Sequence, residues 1–270
     1  MRARFSIIGC LALTLLGFWL LEACVGVHEE VIQPVPVIDP EDGSADIGTR
    51  FFHRVFVFDF TATWCQYCPD MARALEEVKR TRPGRVVEIA VHQYDDMSAM
   101  VCDTIVASFP YHGFPAVVFD YDAATYQQKT DTTLLLAYVD KTVPAAACGI
   151  AIDARDTAQV QVKVQAVESG QYRLAVALVQ DGIVARQTGA GDNYVNNAVL
   201  LGYLSASFRG DELGWLDAGT ECTRTYAAEA GENRRIVASL LRQCSDGTYV
   251  AAGAAQCRLN QQIDYRYEQD

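Results

Sequence analysis

The chain has 270 residues, 22 basic against 34 acidic, for a formal net charge of −12. That length fills one large or two modest domains, and that charge repels phosphate backbones, which argues against nucleic acid as a partner. Arg2 and Arg4 precede SIIGCLALTLLGFWLL, a run without charge that Glu22 closes. It is short for a membrane span of about 20 residues and matches a secretory h-region, so residues 1–23 are predicted to be a signal peptide and the mature chain to be exported. In that compartment disulfides persist, and the seven cysteines beyond Cys10 and Cys24 become candidates for bridges and redox chemistry.

LLEAC, ending at Cys24, resembles the lipobox of bacterial lipoproteins, which implies a lipidated Cys24 as the mature N-terminus. Residues 24–48 carry Pro34, Pro36 and Pro40 among acidic and small residues without periodicity, the pattern of an extended tether. RVFVFDF (54–60) crowds aromatic and β-branched residues as a strand buried on both faces does. After TATWCQYCPD, Met71, Leu75 and Val78 recur at helical spacing, predicting an amphipathic helix from about Cys65 that RPG (82–84) stops. A strand at 85–92, a helix at about 95–108, a strand at 113–120 and a helix at 132–143 complete an α/β alternation.

Beyond Cys148 the texture is all-β. GIAIDA, AQVQVKVQAV and YRLAVALVQ read as strands, with ESGQ between the last two as a hairpin turn. Further strands are expected at 197–205, 221–227, 234–242, 248–252 and 261–268, although RRIVASLLR (234–242) also fits a short helix. Short strands at this spacing predict a β-sandwich.

Cys65 and Cys68 admit three readings. As a redox pair at a helix start, Cys65 is the thiolate nucleophile and Cys68 resolves the mixed disulfide. As a metal site, with His112 as a third ligand, the pair lacks a fourth, because His28, His53 and His92 are scattered; no metal is predicted. As a staple, so short a ring constrains the unfolded chain little. Elsewhere, Cys244 and Cys257 flank SDGTYVAAGAAQ, and a structural disulfide across it would contribute about 3 kcal/mol in the chain-entropy model. Cys102, Cys148 and Cys222 have no assigned partner and read as buried thiols.

The strand, WCxxCP and helix order, with Trp64 directly before Cys65, resembles thioredoxin-like proteins. The resemblance implies that Asp59 is a buried acid assisting proton transfer from Cys68. It also implies that Pro115 is a cis-proline, that Trp64 and Phe114 contact substrate, and that Phe114–Pro115 offers backbone to an extended segment. FDFTATWCQYCPD followed by HGFPAVVFD and a β region is similar to the Omp28-type envelope lipoproteins of Bacteroidetes, with AVALVQDGIVARQ and DNYVNNAVLLG carrying the likeness onward. Where that family is expected to have histidines around YVNNAV, this chain has asparagines and alanine.

The expected fold class is therefore α/β plus all-β, a thioredoxin-like domain at 49–146 followed by an Ig-like β-sandwich at 147–270. The expected function is thiol–disulfide exchange by a lipid-anchored protein of the bacterial envelope, placed at the outer membrane. Its partners would be a protein disulfide or dithiol, the membrane and a membrane redox protein, and no cofactor is implied. The alternative is a non-enzymatic binding or adhesion lipoprotein that uses the sandwich, with the thioredoxin-like domain as scaffold.

Overall fold

The computed structural model describes residues 50–142 and 148–268. The expected signal peptide, Cys24, tether and 146/147 boundary lie outside them. VFVFDFT forms β1 (Val55–Thr61), buried at every position because both of its faces are covered. Val55 and Val57 pack with Met71, Leu75 and Val78 of α1 (Cys68–Thr81) and with Leu135 and Val139 of α3 (Thr132–Thr142). Phe56, Phe58 and Phe60 point the other way, into a second core. The helix α1 ends where RPG was expected to stop it, and the Arg82 N–H closes its last turn on the Val78 carbonyl.

β2 (Val86–His92) runs parallel to β1, and β3 (Ala116–Phe119) runs antiparallel on its other side. The helix expected at about 95–108 is shorter, with α2 covering only Cys102–Ala107. Asp95 is the reason: its carboxylate accepts the N–H groups of Met97 (3.0 Å) and Thr63 (2.8 Å), a local alternative to helical bonding.

The remaining strands are β4 (Cys148–Asp153), β5 (Val160–Ala166), β6 (Gly170–Gln180), β7 (Ile183–Gln187), β8 (Gly191–Asn196), β9 (Val199–Tyr203), β10 (Asp211–Leu216), β11 (Glu221–Tyr226), β12 (Arg234–Gln243), β13 (Tyr249–Arg258) and β14 (Gln262–Ile263). RRIVASLLR is thus a strand, held between β6 and β13. The large mixed sheet has the order β13-β12-β6-β9-β2-β1-β3, with β10 also on β6. A smaller sheet, β11-β5-β4-β14, packs over the β6, β12 and β13 face, while β7 and β8 form a separate hairpin. ESGQ is not a hairpin turn. β5 alternates buried and half-exposed positions in the small sheet whereas β6 is almost wholly buried in the large one, so the chain changes layers there.

The texture does change after Cys148, yet the sheet continues across the change. β9 joins β2 at Ala90↔Val199, and the two ends of the large sheet meet where the Ala251 N–H donates to the Asp120 carbonyl (2.7 Å). The curled sheet encloses one apolar core holding Phe56, Phe58 and Phe60 with Val179, Val237 and Leu241. The described residues cluster as one compact unit.

The expected Cys244–Cys257 disulfide is absent, and both thiols are free. The turn residues between them close the β12–β13 hairpin, with Cys244 at its tip and Cys257 opposite Ile236. At about 3.4 Å per strand residue the two are held roughly 25 Å apart.

Buried Asp120 accepts the Phe56 N–H (2.8 Å) at the rim of this core. Burial pushes its carboxyl up to about 8, and the Phe56 hydrogen bond offsets only part of that. The folded protein therefore holds a proton that the unfolded chain has released, and stability falls as pH rises from about 4 toward about 8. Asp120→Asn keeps the acceptor and is expected to flatten this decline, measured as denaturant midpoints across that pH range.

Candidate redox site

β1 ends at Thr61, and residues 62–67 turn tightly before α1, with the Cys65 N–H donating to the Ala62 carbonyl (3.1 Å). Cys68, not Cys65, is the first helical residue, and Pro69 follows at a position where the helix needs no N–H from it. Cys65 and Cys68 form a disulfide with Cα atoms 5.5 Å apart, and they are 5% and 2% exposed.

Phe114 packs against the small cluster of Ala62, Cys65 and Cys68, and the Phe114–Pro115 peptide is cis. The Phe114 ring lies 5.5 Å from Trp64 and 5.2 Å from Tyr111. Trp64 is 48% exposed, anchored by its indole N–H to the Gln93 carbonyl (3.0 Å). Tyr67 and Tyr111 are exposed as well. His92 closes β2 and meets Asp95 at 2.8 Å, on the same carboxylate oxygen that receives the Thr63 N–H. The start of the loop is thereby fixed from the β2 side.

Asp59 lies on the face of β1 shared by Val55 and Val57, which α1 covers. It is buried, and its Oδ1 has no hydrogen-bond partner among the described residues. Burial, reinforced by the Glu88 carboxylate and opposed by Lys79, holds its carboxyl well above the usual range. Lys79 pairs with Glu88 and with Glu76 (2.7 Å). That ion pair lines a polar cleft of about 490 Å³ with Asp181, Arg235 and Arg258. None of the residues lining that cleft belongs to the disulfide cluster or its aromatic border. The buried sulfurs thus lie apart from that cleft, beneath an aromatic border.

The structure brings together Trp64, Cys65, Cys68 and Phe114–Pro115, with Asp59 beneath the helix. Sequence reasoning missed the β7–β8 hairpin. Buried Gln187 donates its amide to the Ala62 (3.1 Å) and Cys65 (2.8 Å) carbonyls, and the Thr188 N–H donates to the Thr63 carbonyl (2.8 Å). Tyr194 of β8 is half-buried, and burial, with Asp59 adding to it, pushes its hydroxyl up. No local pattern announced these contacts, whose partners on Gln187 are 122 and 125 residues away.

No family model matches the chain, and no curated protein does. Solved structures do. The fold resembles that of HBP35 of Porphyromonas gingivalis. The TM-score is 0.62 at 17% identity, covering 78% of this chain and 76% of that one. An X-ray structure of a protein from Agrobacterium tumefaciens matches at a TM-score of 0.57 and 16% identity, over 77% of this chain and 94% of that one. At such identities the likeness to HBP35 is one of fold, a β-rich architecture with mixed sheets, and the chemistry of the cysteine pair is argued from its own surroundings.

Proposed function

We propose that the chain is a thiol–disulfide exchange protein of the bacterial envelope. In this reading residues 49–146 are thioredoxin-like, the later strands are an Ig-like sandwich as in Omp28-type lipoproteins, and lipid on Cys24 anchors the protein at the outer membrane. One observation carries it: the Cys65–Cys68 disulfide lies at the start of α1 with Phe114 packed against it and exposed Trp64 at its edge.

In the reduced protein the Cys65 thiolate attacks one sulfur of a substrate disulfide. The substrate S–S bond breaks, a mixed disulfide forms, and the first substrate thiolate leaves and takes a proton from water. Cys68 then attacks the Cys65 sulfur while Asp59 takes its proton, a stronger base than an ordinary carboxylate because burial has raised its proton affinity. The Cys65–Cys68 bond re-forms and the second substrate thiolate leaves, receiving that proton through water. Two electrons have passed from the pair to the substrate. The exposed aromatic border of Trp64, Tyr67 and Tyr111 suits an extended protein segment.

The test is equilibration with mixtures of reduced and oxidised glutathione, followed by thiol trapping. The pair is expected to titrate within the range of envelope thiols; a pair that stays oxidised at every ratio is a staple. Asp59→Asn is expected to slow resolution by Cys68 about 10²-fold, read as accumulation of the mixed disulfide in stopped-flow quench. A second reading, the binding or adhesion lipoprotein, draws on the paired and exposed Val184 and Val195 on the β7–β8 hairpin. It requires that binding survive Cys65→Ser unchanged.

A further inference from the structure

Three consecutive residues of the hairpin grip the loop that carries the nucleophile. Gln187 places its two amide hydrogens on the Ala62 and Cys65 carbonyls, an orientation those two acceptors dictate, since a carboxamide oxygen there would face only oxygens. The Thr188 N–H holds the Thr63 carbonyl. Gly189, at φ +84°, lies so close that a Cβ there would come within 2.5 Å of the Gln66 carbonyl oxygen. These partners are 122 and 125 residues apart for Gln187, so the grip is a tertiary device and not a local turn.

We propose that Gln187 is a positioning residue for Cys65, and that the 187–189 clamp sets the redox poise of the Cys65–Cys68 pair. This rests on the exchange function proposed above. In the oxidised protein the S–S bond and the clamp restrain the same loop. After reduction only the clamp keeps Cys65 within reach of Cys68. Without it the dithiol gains conformations in which the sulfurs are apart, and ring closure becomes less favourable. The clamp and the disulfide therefore stabilise each other, and by reciprocity reduction loosens the hairpin.

The measurement uses the full chain in glutathione buffers, in which two glutathione thiols reduce the protein disulfide and leave as one glutathione disulfide. Gln187→Met keeps the length of the side chain and removes both donors. It is expected to shift the equilibrium about tenfold toward the dithiol, which is ~30 mV for a two-electron couple. Gly189→Ala, which pushes the hairpin off Gln66, is expected to shift it in the same direction and carries the measurement if Gln187→Met does not fold. Melting temperatures of both redox forms separate positioning from simple support: the oxidised form should lose more than the reduced form. Equal losses with an unchanged equilibrium would overturn the clamp. A wild-type pair that never equilibrates with glutathione would instead overturn the exchange function, and the two failures are distinct.

Discussion

A Cys65→Ser protein is expected to lose thiol–disulfide exchange completely, while Cys68→Ser accumulates a covalent complex with substrate. The asymmetry follows from position. Cys65 lies in the turn beside exposed Trp64 and half-buried Phe114, whereas Cys68 is the first residue of α1. A serine hydroxyl is no nucleophile at neutral pH without a base to activate it, so the first step fails outright in Cys65→Ser. In Cys68→Ser that step proceeds and resolution does not, leaving a mixed disulfide that non-reducing electrophoresis detects. Equal trapping by both variants would mean that either sulfur can attack, and would contradict the assigned order. Neither substitution should unfold the protein, because so short a ring constrains the unfolded chain little.

Phe58→Ala is expected to destabilise the protein by about 3–5 kcal/mol, a large share of a typical domain's 5–15 kcal/mol. Phe58 is fully buried and its ring lies 4.6 Å from Phe56, 4.8 Å from Tyr121 and 5.7 Å from Phe109. The same core takes Ala175, Val179, Val237 and Leu241 from the strands beyond Cys148. One cooperative unfolding transition is therefore expected in wild type and variant alike, displaced as a whole, with fluorescence and far-UV circular dichroism coincident. Two transitions, only one of them moved by Phe58→Ala, would show that 49–146 and 147–270 fold independently. Deleting the later segment would be a poor test of the redox site, since it strips β9 from the edge of β2 and Gln187 from the loop.

What was legible in the sequence was local. The run VFVFDFT spells a doubly buried strand, Met71, Leu75 and Val78 spell a helix face, and RPG ends that helix, because strand burial, helical period and turn chemistry all act within about ten residues. The cysteine pair was legible for the same reason: its spacing at a helix start lets the two sulfurs meet whatever the rest of the chain does. ESGQ was read as a hairpin turn, but a turn signal does not say whether the chain pairs back or changes layer, and here it changes layer. The Cys244–Cys257 bridge failed on the same point: a hairpin register, set by many residues at once, parted two cysteines that are near in sequence.

Spacing and composition alone therefore determined the cysteine pair and the elements around it, while the buried acid at Asp59 was implied by the resemblance to thioredoxin-like proteins. Only the tertiary structure decided that the large sheet runs through both halves of the chain and that Gln187 holds the Cys65 carbonyl. The physical reason is range. Helical and strand periodicities arise from backbone geometry and side-chain burial along one segment, whereas a hydrogen bond across 122 residues exists only once the sheet has curled and brought a distant hairpin onto the loop.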